Sequence, residues 1–162
     1  MNRKVRIFFA FFAGNLFYFF FYSFLTWAFT ALKITPYGRF VSTFFKGRTP
    51  DEAKEFIAGN HELFNELLPA AARFSNIVIN PAAGVVLGIV AGMIMSSKGK
   101  SGSIIWSLIA AAPMAILFLA KAEGGAEKVL YLALFLLFSA AGGYIGDILI
   151  KRLQQPQAAN SI

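Results

Sequence analysis

Residues 5–32 constrain this chain more than any other stretch. No charged side chain occurs from Ile7 to Leu32, and residues 5–32 hold ten phenylalanines together with Tyr18, Tyr22 and Trp27. As an α-helix rising ~1.5 Å per residue, such a stretch reaches about 40 Å, more than the ~30 Å hydrocarbon core of a bilayer. A soluble domain of this size has no interior able to cover so many rings on one element. The stretch is therefore read as a membrane-spanning helix. A cleaved signal peptide is the rival, because Arg3, Lys4 and Arg6 give it a basic start. The hydrophobic region of a signal peptide is only about 7–15 residues long, so an uncleaved span fits better.

The remainder of the chain follows the same pattern. Of its 162 residues, 57% are hydrophobic and 14% charged, against roughly 25% charged in soluble domains. Three further apolar runs, 77–96, 103–120 and 129–150, each match one bilayer crossing. The predicted fold class is all-α: a polytopic membrane protein forming a single membrane domain over 1–162, with four transmembrane helices at about 7–32, 77–96, 103–120 and 129–150. Residues 33–76 form the one sizeable extramembrane loop, and 151–162 a polar tail.

The basic residues set an orientation. With four spans, Arg3, Lys4 and Arg6, then Lys98 and Lys100, then Lys151 and Arg152 all fall on one side. Lys121 and Lys128 are offset by Glu123 and Glu127. Lys and Arg accumulate in short cytoplasmic loops, so both termini are predicted cytoplasmic and loop 33–76 outside, with a bacterial cytoplasmic membrane as the default location. The net charge of +7 does not point to nucleic acid, because the bases cap apolar runs instead of forming an aromatic-interleaved stripe. The chain has no cysteine, hence no disulfide framework, thiolate metal site or cysteine nucleophile.

The loop carries helix signals of its own. Thr49-Pro50-Asp51-Glu52 reads as an N-cap, a proline at the first helical position and acids in the first turn, with Gly59 ending the helix after about Ala58. Asn60 is expected to cap a second, amphipathic helix from His61 to about Phe74, kinked at Pro69. Its apolar face, with Leu63, Phe64 and Leu67, is a candidate partner or lipid surface. Tyr37, Phe40, Phe44 and Phe45 beside Arg39 and Lys46 suit a headgroup interface.

Small residues recur every four positions in the later spans. Gly84, Gly88 and Gly92 form a glycine zipper below the start signal Asn80-Pro81, and Ser96 extends its face. Ser103, Ser107, Ala111 and Ala115 repeat the device around the bend expected at Pro113. Ser139 pairs with Gly143, and Gly142 with Gly146. Such positions let helix backbones approach closely, so Asn80, Gly84, Gly88, Gly92, Ser107, Ala111, Gly142 and Gly146 are predicted to form a helix-packing seam. The seam serves either packing within the chain or self-association around a pore, and packing within the chain is the commoner use.

Intramembrane polar residues are few. Asn15 lies near the bilayer midplane, and Asn15, Tyr18, Tyr22, Ser23, Thr26 and Thr30 share one side of the first helix, opposite Phe17, Phe20, Phe21 and Phe24. Asn15, Tyr22 and Thr26 are expected to face protein. Phe17, Phe21 and Phe24 form an aromatic wall toward lipid or a partner. Asp147 is the one acid inside a predicted span. It is a candidate ion site, but Lys151 stands at the i, i+4 spacing of a helix ion pair, which is the preferred reading.

No catalytic, cofactor or metal constellation emerges. His61 is the lone histidine, and no phosphate-loop, dinucleotide, zinc-protease or nucleophile-elbow pattern occurs. Bound lipid is the one ligand expected. The expectation is a non-enzymatic accessory or scaffold subunit of a larger membrane assembly, associating with membrane lipids and with other membrane subunits or a second copy. The alternatives are a small oligomeric channel or transporter built on Gly84, Gly88 and Gly92, and a lipid-binding or lipid-modifying membrane protein.

Overall fold

The computed structural model describes residues 3–96, 102–121 and 125–154. Lys98, Lys100, Glu123 and the tail beyond Gln154 lie outside the described residues. Those described form seven α-helices and one π turn, without a strand: α1 (Arg3–Ala31), α2 (Pro36–Phe44), α3 (Pro50–Gly59), α4 (His61–Phe74), the π turn (Ser75–Ile79), α5 (Asn80–Met95), α6 (Gly102–Lys121) and α7 (Ala126–Gln154). Four helical runs are long and apolar enough to cross a membrane: Lys4–Ala31, His61–Met95, Gly102–Ala120 and Ala126–Leu153. The protein is thus an all-α polytopic chain with four candidate spans, as its apolar runs predict.

The second run departs from expectation. Asn80-Pro81 reads as a helix start, yet helical structure continues without interruption from His61 to Met95. An α-helical Pro81 has no N–H to offer the carbonyl four residues earlier. The π turn falls immediately before it, where a widened turn accommodates the missing donor. Pro69 and Pro113 likewise sit inside helices that run through them.

Backbone contacts divide the chain into two compact units, one of Met1–Phe21 with Asn80–Ile162, the other of Tyr22–Ile79. In the first, α5 is the most enclosed element, with nine buried residues from Asn80 to Met95. It runs parallel to α7: Gly84 meets Phe135 and Ser139, while Gly146 meets Ile89 and Met93 further along. A parallel pair needs a return path, which α6 supplies. The first part of α1 runs antiparallel to α5, with Arg6 at Ile94, Gly14 at Leu87 and Ala91, and Tyr18 at Asn80. Phe135 is fully enclosed and takes the rings of Tyr18 and Phe118, each with its centroid 5.8 Å away.

The second unit is organised by caps and a small aromatic core. Thr35 caps α2 by accepting from the Gly38 amide at 3.0 Å, with Pro36 at the first helical position. Gly38 is held to glycine because a Cβ there would overlap the carbonyls of Phe29 and Leu32. Thr49 caps α3 as expected, and Glu52 completes a full capping box with it. Phe40, Phe44 and Ala71 are buried together, and Val41, Phe56, Ile57, Phe64 and Leu67 pack against them. The segment expected at a headgroup interface is therefore a helix that turns Phe40 and Phe44 inward and leaves Phe45 exposed. Asn60 makes no side-chain cap for α4. Its amide instead donates to the Phe56 carbonyl at 2.9 Å, satisfying an acceptor at the end of α3.

Candidate functional site

The small residues of α5, α6 and α7 meet within the first unit. A Cβ added to Gly88 would overlap the Ser139 carbonyl and lie 2.8 Å from the Gly143 amide nitrogen. At Gly92 it would meet the Gly143 backbone, at Gly142 the Val85 backbone, and at Gly146 the Ile89 backbone. Gly84 is bounded by side chains instead, with Ser139 Oγ at 2.9 Å and the Phe135 ring at 3.0 Å. Ser107 joins α6 to this contact: its hydroxyl donates to the Ser103 carbonyl at 2.7 Å and lies 3.3 Å from the Gly88 carbonyl. Ala111 and Asn80 are buried as well. All eight residues assigned to the packing seam thus lie in one unit, with the glycines of α5 filled by α7. Gly143 belongs with them, since a Cβ there would overlap the Ser107 hydroxyl; its four-residue spacing from Ser139 was the available signal.

The polar side of α1 divides in two. Asn15 reaches across to α6, its amide nitrogen donating to the Ala110 carbonyl at 3.0 Å and to its own Phe11 carbonyl at 2.8 Å. The Asn15 Oδ1 is sealed from solvent without a hydrogen-bond donor. Ala110 adjoins Ile109, whose carbonyl loses its usual donor to Pro113. Tyr18 donates to Asn80 Oδ1 at 3.0 Å and is buried. Thr26 is half-buried, and its hydroxyl donates to the Ser23 carbonyl of its own helix at 2.8 Å. A threonine hydroxyl reaches carbonyls three or four residues back, and this local bond removes its need for another helix. Tyr22 lies in the second unit, near Tyr37. Burial first, and then the Tyr22 phenol, holds the Tyr37 hydroxyl above the usual phenol pKa, against a bond with Thr30.

The opposite side of α1 is exposed. Phe17 and Phe24 are more than half exposed, as are Phe8, Phe12, Phe19, Phe20 and Trp27. Phe21 is an exception to the expected wall, being only half-buried. It stands seven residues after Gly14, nearly in line with the buried stripe Ala10, Gly14 and Tyr18. In α4, Leu63 stays exposed, whereas Phe64 and Leu67 are taken up by the aromatic core and do not form a free surface with it.

Asp147 sits where α5 and α7 end. Lys151 donates to its Oδ2, forming the expected i, i+4 ion pair, and Ser96 Oγ donates to its Oδ1 at 2.5 Å. The Ser96 carbonyl accepts from Arg6 Nη2 at 2.8 Å, and the Ile94 carbonyl accepts from Arg6 Nη2 at 2.6 Å and Nε at 3.1 Å. The start of α1 and the ends of α5 and α7 are thereby tied into one polar cluster, Arg6–Ser96–Asp147–Lys151. His61 shares a 3.0 Å hydrogen bond with Asn65. Among the described residues no three His, Cys, Asp or Glu side chains gather as a metal would require. Comparison of the chain with protein-family models, curated proteins and solved structures finds no match in any of the three.

Proposed function

We propose that this chain is a non-enzymatic accessory or scaffold subunit that packs against another membrane protein through the ring face of α1. One contrast carries the reading. The exposed large side chains of α6 and α7 are chiefly aliphatic, including Ile105, Ile116, Leu117, Leu130 and Leu137, whereas α1 exposes Phe8, Phe9, Phe12, Phe17, Phe19, Phe20 and Phe24. Lipid tails accept aliphatic side chains as readily as rings. Rings add edge-to-face and offset contacts with other rings, about 0.5–1.5 kcal/mol per pair beyond area burial. A helix whose polar side is committed within the chain and whose outer side is almost wholly aromatic is suited to a protein neighbour.

In this reading the chain resides in a bacterial cytoplasmic membrane. Its termini and the connection holding Lys98 and Lys100 are cytoplasmic, and residues 33–76 face outward, in keeping with the distribution of Lys and Arg. The glycine zipper serves packing inside the chain. Its occupation by α7 weighs against a pore built from copies meeting at Gly84, Gly88 and Gly92. The test is recovery in mild detergent with mass spectrometry of whatever copurifies. The wild-type chain should bring down a membrane partner, and Phe17→Leu, Phe20→Leu and Phe24→Leu together should release it while the span inserts normally. Undiminished recovery with the triple variant, or a lone chain from wild-type membranes, would overturn the proposal.

A further inference from the structure

We infer that the cluster where α1 begins and α5 and α7 end is a binding site for the phosphate headgroup of an anionic phospholipid. Arg6 is held from one side. Its Nε and Nη2 are occupied by the Ile94 and Ser96 carbonyls, while Nη1 has no partner among the described residues. Carbonyls orient the guanidinium without cancelling its charge, and none of the described carboxylates lies within ion-pair distance of Arg6. The neighbouring pair does not cancel it either, because Asp147 is already matched by Lys151. Arg6 and Lys151 against Asp147 leave one positive charge in excess at the cluster.

The position selects the ligand. These residues stand at the ends of candidate spans, where lipid phosphates lie. Guanidinium and phosphate match in geometry, and a guanidinium already fixed by two carbonyls loses little further freedom on binding. Lys151, about half exposed, can turn its remaining donors to the same phosphate while keeping Asp147. A zwitterionic headgroup brings its own cation and gains less from the excess charge. Juxtamembrane bases at anionic surfaces contribute about 1 kcal/mol each, roughly a five-fold change in binding.

The test uses the full chain in nanodiscs of phosphatidylcholine with a graded fraction of phosphatidylglycerol, followed by native mass spectrometry of the lipid retained. The wild-type chain should retain phosphatidylglycerol in preference to phosphatidylcholine. Arg6→Gln should reduce that preference about five-fold, and Arg6→Lys, which keeps the charge but lacks the planar fork, should fall between the two. Lys151→Gln leaves the Arg6 carbonyl bonds in place and should also reduce it, so the test stands even if Arg6→Gln folds poorly. An unchanged preference in Lys151→Gln and in any folded Arg6→Gln chain would overturn the site. So would an equal loss in Lys46→Gln, which would mark general surface attraction, or displacement of the lipid by equimolar inorganic phosphate.

Discussion

Gly88→Ala is the sharpest perturbation this structure offers. The added methyl would meet three backbone groups of α7: the Ser139 carbonyl, the Gly143 nitrogen at 2.8 Å and the Gly142 Cα at 3.0 Å. Non-bonded heavy atoms settle at about 3.5–4.0 Å, and the Ser139 carbonyl oxygen would lie only 2.0 Å from the methyl, so α5 and α7 would have to part by roughly 1.5 Å. Backbone atoms in the middle of two helices cannot rotate aside as a side chain can. Separation would also loosen the contacts at Gly92, Gly142 and Gly146, which lie along the same pair. Overpacking costs about 1–3 kcal/mol, and the upper end applies here. About 3 kcal/mol corresponds to roughly a 150-fold fall in the folding equilibrium constant. Gly84→Ala serves as the internal comparison, because its methyl meets Ser139 Oγ and the Phe135 ring, which can shift by a few tenths of an ångström. Its expected cost is about 1 kcal/mol. Gly59→Ala opens into empty space within α3 and should be neutral or stabilising by up to about 1 kcal/mol. Unfolding in mixed micelles with rising dodecyl sulfate, followed by circular dichroism, ranks the three variants. If Gly88→Ala costs no more than Gly84→Ala, the close α5–α7 contact is wrong. If Gly88→Ala changes oligomer size while leaving unfolding of the monomer untouched, the glycines belong to a contact between copies.

Other perturbations test the remaining contacts. Asn15→Leu removes one interhelical hydrogen bond, worth about 0.6 kcal/mol in a membrane, and also an unpaired buried oxygen, so its unfolding midpoint should stay near wild type. Asn15→Asp sets an acceptor against the Ala110 carbonyl and should be clearly less stable than Asn15→Leu in the same assay. Tyr18→Phe deletes the donor to Asn80 Oδ1 and should cost about 1 kcal/mol. Thr49→Ala breaks the cap of α3 and should cost the second unit about 0.5–2 kcal/mol, read as faster hydrogen exchange at the first amides of α3. The Glu52 carboxyl is held below its usual pKa by the Thr49 backbone N–H and then by the Thr49 hydroxyl. A lowered folded pKa means that its contribution is present above about pH 4.5 and is lost as pH falls through the folded value. Protection of the α3 amides should decline over that acid range, and Glu52→Gln should make it insensitive to pH there.

Much of the fold was readable because a bilayer simplifies the problem. Every backbone group inside hydrocarbon must be bonded within its own segment, so a long apolar run is a helix whatever its neighbours do. The apolar runs, the Thr49 N-cap and the Asp147–Lys151 pair are all short-range patterns, and all three occur as expected. What stayed hidden depends on residues distant in sequence or on competition for one group. Asn60 carries a good cap residue at the right place, but the open Phe56 carbonyl one turn back takes its amide. Asn80-Pro81 has the chemistry of a helix start, but a π turn lets the preceding helix continue. Phe64 and Leu67 form an amphipathic stripe that alone cannot show what covers it; Phe40 and Phe44, twenty or more residues earlier, do.

The two sides of α1 differ in how closely another helix can approach them. The buried stripe Ala10, Gly14 and Tyr18 advances four residues at a time, while a helix needs 3.6 per turn, so the stripe drifts around the axis. Phe21, seven residues after Gly14 and so within about 20° of it around the axis, lies beside this stripe, while the Thr26 hydroxyl is taken up by the Ser23 carbonyl of its own helix. Small residues on the inner side let α1 approach α5 closely at Gly14, where an added Cβ would already touch Leu87 and Ala91. Phenylalanine rings fit poorly into so tight a contact, and Phe8, Phe12, Phe17 and Phe20 stand on the outer side. The close packing of residues 10–18 within the first unit and the outward placing of Phe8, Phe12, Phe17 and Phe20 are therefore one arrangement. A substitution that widens the inner contact, such as Gly14→Leu, should turn the ring face as well and weaken partner recovery without altering a single phenylalanine. Undiminished recovery with Gly14→Leu would show that the ring face is placed independently of the contact beneath it.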